Sequence, residues 1–236
     1  MGQEDYKFND YGDAGVLIEF SKTFTMAAWQ KVHYLANQFL EESIPGILSI
    51  IPTYTTLFIS YDYLIIERNE LKKIIDSYIK KSTQQQINIT GRTFKIPVVF
   101  GDEYGPDLEF IAQSQQLSEA DIINQFCSKP LPIMVINRGP MFGTNFKKEV
   151  PRLETPRTEV PAGAITAAGE QISIMIQKSP GGWRIFGQTP IQMNMTFEEN
   201  PPVYYKPGDM MLFYPINKSE YSKFEGLTIS DTELKL

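Results

Sequence analysis

Ser179-Pro180-Gly181-Gly182-Trp183-Arg184-Ile185-Phe186-Gly187-Gln188-Thr189-Pro190 sets one short apolar run between two turns. Pro180, Gly181 and Gly182 have the chemistry of a tight turn, in which the glycines supply positive φ and Trp183 anchors the strand that follows. Working outward, the same texture recurs. Apolar runs at 133–136, 163–168, 172–176, 191–195 and 210–214 each lie between Pro and Gly residues. Short strands at this spacing predict an all-β barrel or sandwich. Just before it, Gly105-Pro106-Asp107 opens a short helix carrying Leu108, Phe110 and Ile111, with Pro106 in its first turn. Ser118 with Asp121 has the form of a capping box for a second short helix ending near Phe126. The tail after Lys218 carries little core signal.

Further outward, toward the N-terminus, strand and helix signals alternate. Gly15-Val16-Leu17-Ile18-Glu19-Phe20 reads as a largely buried strand. A helix follows over about 25–42, its face made of Ala28, Trp29, Val32, Leu35, Ala36, Phe39 and Leu40 at three- and four-residue spacing. Pro45-Gly46 ends it. Strands at 47–51 and 54–61 come next, then a helix capped by Asn69 with Leu71, Ile74, Ile75, Tyr78 and Ile79 on one stripe. Residues 93–100 form another strand. The order β-α-β-β-α-β is the split βαβ pattern of ferredoxin-like domains. The expected class is therefore α+β: a ferredoxin-like-type α/β domain over 1–94, then a β-barrel domain over 95–236.

Composition removes several functions. The chain has 236 residues and a net charge of −6, which argues against the basic face that nucleic acid requires. No window approaches the roughly 18 consecutive apolar residues of a membrane span. The opening Met1-Gly2-Gln3-Glu4-Asp5-Tyr6-Lys7 lacks the basic and apolar regions of a signal peptide, so a cytoplasmic location is expected. Cys127 is the single cysteine and His33 the single histidine, so neither an intrachain disulfide nor a Cys/His zinc site can be assembled. No phosphate-loop motif and no dinucleotide fingerprint occur. His33 lies off the apolar stripe of its helix and is expected at the surface. Cys127, beside Phe126, is expected to pack.

Three longer segments are more specific. Pro151-Arg152-Leu153-Glu154-Thr155-Pro156-Arg157-Thr158-Glu159-Val160-Pro161-Ala162-Gly163 leads to Gln171, the segment from Ser179 to Pro190 follows, and Pro207-Gly208-Asp209 comes last. With Gly12-Asp13, Pro52-Thr53-Tyr54, Ile96-Pro97-Val98 and Tyr104-Gly105-Pro106-Asp107-Leu108, the order and spacing resemble the 5-oxoprolinase B-subunit / allophanate hydrolase subunit 1 / KipI family over nearly the whole chain.

The resemblance implies that the barrel is cyclophilin-like. It also implies a complex with two further proteins: a second cyclophilin-like subunit (5-oxoprolinase C-subunit / allophanate hydrolase subunit 2 type) and a sugar-hydrolase-like A-subunit. Together these open a small amide or lactam, 5-oxoproline to glutamate, at the expense of ATP. The alternative is a non-catalytic regulator of the KipI type that binds and inhibits a histidine kinase. The sequence departs from the family at 127–146. The His that many relatives carry there is absent, with Cys127 nearest its place, and Asn137-Arg138-Gly139-Pro140-Met141-Phe142-Gly143 replaces a longer aromatic run.

Arg152, Arg157 and Gln171 are the candidate catalytic residues. Two guanidiniums in a Pro-stiffened loop suit bidentate binding of carboxylate or phosphate. The competing reading is a pair of structural salt bridges, or a surface that faces a partner protein. Gln171 sits where the family keeps a Gln on a barrel strand, and barrel interiors are where polar side chains meet ligands. A buried amide satisfied by backbone is its alternative. The Gly181-Gly182 turn reads as structure, or as an anion nest if its amides are open.

Overall fold

The computed structural model describes residues 6–84, 91–193 and 202–234. The chain divides into two compact units, Met1–Ile89 and Thr90–Leu236.

In the first unit, β1 (Lys7–Asp10) and β2 (Gly15–Glu19) precede α1 (Met26–Glu42), followed by β3 (Ile47–Pro52), β4 (Thr56–Tyr61) and α2 (Arg68–Gln84). The strands form an antiparallel sheet in the order β1-β2-β4-β3. Period-2 alternation turns Val16, Ile18, Leu57, Ile59 and Tyr61 to one face, where they bury against Val32, Leu35 and Phe39 of α1 and Leu71, Ile75 and Tyr78 of α2. Thr25 caps α1 by accepting the Ala28 N–H at 3.1 Å.

Four readings of this unit are corrected. The fourth strand of this unit, for which the sequence offers 93–100, is β1 beside β2, so the order is β-β-α-β-β-α. Lys7-Phe8-Asn9-Asp10 has no apolar run to mark it as a strand. It is a polar edge, held by the ladder to β2 and by Lys7 Nζ on Glu19 at 3.1 Å. His33 is buried, not exposed, because it lies one turn from Trp29, with ring centroids 4.5 Å apart. Leu40 is exposed, lying about 100° around the helix from Phe39. Asn69 is inside α2 and does not cap it: Leu71 N–H already donates to Glu67 O at 2.9 Å.

The second unit contains β5 (Thr93–Phe100), α3 (Leu108–Gln115), α4 (Glu119–Cys127), β6 (Leu131–Pro132), β7 (Val135–Ile136), β8 (Pro140–Gly143), β9 (Arg157–Val160), β10 (Ala164–Ala168), β11 (Gln171–Ile174), β12 (Ser179–Gly181), β13 (Arg184–Gln188) and β14 (Met210–Pro215). Eight strands make one sheet, β6-β14-β5-β13-β10-β11-β8-β7, which curls into a half-barrel, while β9 and β12 form a separate ribbon. The architecture is mixed α+β, since α3 and α4 supply Leu108, Ile111, Ile122 and Phe126 to the same core as the strands. β5 is interior, parallel to β14 and antiparallel to β13, and Phe94, Ile96 and Val98 are fully buried. Two partners and a buried face explain why this strand belongs here and not to the first unit. Phe126 is central, with ring centroids 4.5 Å from Phe213 and 5.1 Å from Phe186.

The Ser118 capping box forms as expected, Asp121 N–H donating to Ser118 Oγ at 3.1 Å. Pro106, however, precedes the N-cap Asp107 and is not in the first turn of α3. Residues 191–193 form no strand; Gln192 makes only an isolated bridge to Thr228, and 194–195 lie outside the described residues. That bridge docks the tail, so Ile229 is buried in the core despite the weak apolar signal after Lys218.

Alternation along the central strands sets up the site. Phe142, Ile165, Ala167, Ile172 and Ile174 point into the core. Their neighbours Met141, Thr166 and Ser173 point to the opposite face.

Candidate functional site

On that opposite face lies a cleft of about 300 Å³. Its floor crosses three adjacent strands. Thr166 of β10 is paired directly with Ser173 of β11, and Ser173 with Met141 of β8. Thr166 Oγ1 donates to Ser173 O at 3.3 Å, and Ser173 Oγ donates to Pro140 O at 3.1 Å. With their protons committed to carbonyls, the two buried hydroxyls offer lone pairs to a ligand N–H. Met175, Val160 and Trp183 supply apolar walls, and the β12–β13 turn closes one side.

Two cations face this space. Arg138 and Asn137 come from the turn between β7 and β8, which is drawn tight because a Cβ on Gly139 would lie 2.0 Å from Ile174 O. Arg152 comes from the loop before β9, its guanidinium carbon 5.8 Å from the Trp183 ring centroid. The described residues lining the cleft include no carboxylate. A pocket with two guanidiniums and no acid, in a chain of net charge −6, selects an anion.

The three candidates from the sequence are not brought together. Arg152 lines the cleft. Arg157, on β9 opposite Gly181, turns away and pairs with Asp107, Nη2 to Oδ2 at 2.9 Å. Its Nη1 is buried and makes no hydrogen bond among the described residues. Gln171, at the start of β11, shares the face of Ser173 two residues on, but it is outside the lining. It therefore lies on the face away from the core, whereas a barrel interior was expected.

Trp183, expected to anchor the strand that follows, is a partly exposed wall of the cleft at the start of that strand. Neither Gly181 nor Gly182 takes positive φ. Gly181 serves close approach instead, a Cβ there lying 3.1 Å from Val160 Cγ2. Cys127 packs at the core margin as expected, and burial pushes its thiol up to about 12. Asp107, Arg184, Thr166 and Ser173 were not singled out from the sequence. The last two carried a signal: each is a hydroxyl in an otherwise apolar strand, Ala164-Ile165-Thr166-Ala167-Ala168 and Ile172-Ser173-Ile174. Asp107 stands in the Tyr104–Leu108 segment and Arg184 in the Ser179–Pro190 segment, and no local signal pairs them.

The model of the family described as carboxyltransferase domain, subdomain C and D, matches residues 6–204. The chain belongs to this family. Among members of the carboxyltransferase-domain family, it is similar to the 5-oxoprolinase B-subunit of Bacillus subtilis, 28% identical over 93% of this chain and 97% of that protein. It is also similar to the 5-oxoprolinase B-subunit of Escherichia coli O157:H7, 25% identical over 86% of this chain and 93% of that one. The crystal structure of Kluyveromyces lactis urea carboxylase has the same fold, with a TM-score of 0.71 at 19% identity over 96% of this chain. This chain spans only 23% of that larger protein. Within the family fold, the cleft lies on the sheet face away from the core. Among the described residues, no helix is long and apolar enough to cross a membrane.

Proposed function

We propose that this chain is the B-type component of an ATP-dependent 5-oxoprolinase and that the cleft holds the lactam substrate. The observation that carries the reading is the pairing of two guanidiniums with the Thr166–Ser173 hydroxyls across a carboxylate-free pocket. 5-Oxoproline is a small ring bearing a carboxylate, an N–H, a C=O and a saturated edge. Its carboxylate suits Arg138 or Arg152, its N–H suits the two hydroxyl oxygens, and its methylenes suit Met141, Met175 and Trp183. The similarity to two 5-oxoprolinase proteins of the B type, along almost their full length, supports the same substrate class.

When bound, ATP supplies a phosphoryl group that turns the lactam oxygen into a leaving group. Of that nucleotide, the residues here suit only the anionic end, which Arg138 would hold. The cleft lies at the small end of ligand pockets, and no phosphate-cradling loop lines it. The base and sugar therefore belong with a partner. Arg152 holds the ring's carboxylate, the Trp183 wall packs against its methylenes, and Thr166 and Ser173 orient the ring nitrogen. Arg157 braces the Asp107 carboxylate from outside the lining, and Gln171 lies on the strand face of Ser173.

The same reading takes the first unit as ferredoxin-like, with β1 filling the edge strand, and the second as cyclophilin-like, near the division 1–94 and 95–236. It takes the partners, in the cytoplasm, as the second cyclophilin-like protein of the C type and the sugar-hydrolase-like protein of the A type. Thr166 and Ser173 lie outside the rewritten 127–146 segment, and Arg138 from that segment adds charge to the pocket. A purely regulatory protein would need neither feature. The test is ATP-dependent conversion of 5-oxoproline to glutamate by the reconstituted complex with this chain present or omitted. Turnover only in its presence is expected. No turnover from a folded, assembled complex would refute the substrate assignment.

A further inference from the structure

We infer that Asp107 and Arg184 are positioning residues: they hold the wall on which Arg152 and Trp183 stand, and so set the aim of Arg152 into the cleft. The inference rests on reading the cleft as the 5-oxoproline site.

Asp107 is only 6% exposed, yet its carboxylate is the junction of three elements. Oδ2 accepts from Ile185 N–H at 2.7 Å and from Arg157 Nη2 at 2.9 Å, while Oδ1 accepts from Arg184 Nη1 at 3.4 Å. Backbone geometry puts the carboxylate there. Asp107 N–H donates to Ile185 O at 2.8 Å, and Gly105 approaches β13 so closely that a Cβ would lie 2.2 Å from Phe186 O. The side chain of Asp107 makes no capping bond to α3. Its acceptor capacity is directed at β13 and the two arginines.

Arg184 passes the restraint to the loop. Its guanidinium carbon lies 3.5 Å from the Phe110 ring centroid, and its Nε donates to Pro151 O at 3.2 Å. On the other side of Arg152, Leu153 N–H donates to Gly182 O at 2.9 Å. The residues flanking Arg152 are thus tied to the residues flanking Trp183. Arg152 is itself exposed, so the frame around it, anchored on a buried carboxylate, limits where its guanidinium can go.

Lysine at position 184 keeps the charge but has no planar fork. One ammonium cannot lie flat on Phe110 while donating to both Pro151 O and Asp107. The experiment compares 5-oxoproline kinetics of the reconstituted complex carrying the native chain, Arg184→Lys, Arg152→Ala or both. Arg184→Lys is expected to raise KM about 5- to 10-fold with kcat within about twofold. In the Arg152→Ala background, the same change should move KM less than about twofold, because its effect passes through Arg152. An equal effect in both backgrounds, or an unchanged KM in Arg184→Lys alone, overturns the inference.

A second readout does not depend on substrate. Trp29 and Trp183 are the only tryptophans, so a Trp29→Phe chain reports Trp183 alone. Time-resolved anisotropy should show a larger fast component for Trp183 in Arg184→Lys, and no change overturns the positioning role. If the native complex fails on 5-oxoproline, the substrate reading falls and this anisotropy comparison decides the inference.

Discussion

Replacing Asp107 by Ala removes the acceptor of three hydrogen bonds at a nearly closed site. Ile185 N–H loses its side-chain acceptor inside β13, where Ile185 is 4% exposed. Arg157 and Arg184, with side chains 28% and 15% exposed, lose the anion they share. An orphaned buried donor costs about 1–3 kcal/mol. Breaking a buried ion pair costs about 3–5 kcal/mol. These overlap because one carboxylate serves both, and water at Arg157 recovers part of the loss, so the expected cost is about 3–4 kcal/mol. Asp107→Asn keeps an oxygen for Ile185 but loses the charge and turns the oxygen that accepts from Arg184 into an NH2 donor, which should cost about 1–3 kcal/mol. Urea unfolding in a Trp29→Phe background, followed by Trp183 fluorescence, reads the second unit by itself. Breaking the exposed Lys178–Glu159 pair (2.5 Å, side chains 64% and 56% exposed) sets the comparison, at under about 1 kcal/mol. If Asp107→Ala costs no more than that surface pair, the carboxylate is not the anchor of the wall.

Arg152→Ala should leave stability within about 0.5 kcal/mol, since the side chain is exposed, and lower kcat/KM for 5-oxoproline about 10- to 100-fold, the value of one charge-assisted contact. A destabilised chain, or unchanged kinetics in a complex that turns over, would contradict that assignment. Gly139→Ala would drive a methyl into Ile174 O and shift the Asn137–Arg138 turn. A loss of about 1–3 kcal/mol, together with raised KM, is the expected outcome, and a native melting curve would refute it. Cys127 should resist iodoacetamide at pH 8 in the folded chain and react on unfolding, because burial pushes its thiol up to about 12. The folded chain keeps this proton where the unfolded chain, with an ordinary value of 9.0, sheds it. The stability tied to it is therefore complete below pH 9 and lost as pH rises toward about 12, and Cys127→Ala should remove about one proton from that slope.

Much of the fold was legible in the residues because local rules and burial agreed. The helix stripe at Val32, Leu35 and Phe39, the alternation in β4, the Ser118–Asp121 box and the strands around Ala164, Ile172 and Met210 all appear where periodicity and turn chemistry put them. The family, too, was legible, since its motifs are contiguous in the chain. Of the site, Arg152 was found because it stands in a Pro-bounded motif at the surface.

What remained was decided by contacts between distant residues. Lys7–Asp10 is a strand only because β2 offers a ladder, and its own side chains carry no period. Arg152 and Arg157 look equivalent in sequence. They diverge because Asp107, 50 residues before Arg157, captures one guanidinium and leaves the other facing the cleft. Thr166 and Ser173 meet across a hairpin, and Asp107 with Arg184 across 77 residues. Periodicity reports which side of an element is buried, and so the residues by themselves determined the helices, most strands and the family. Only the packed sheet could decide which polar groups share a cavity, because hydrogen bonds and ion pairs act over a few ångströms of space whatever the separation along the chain.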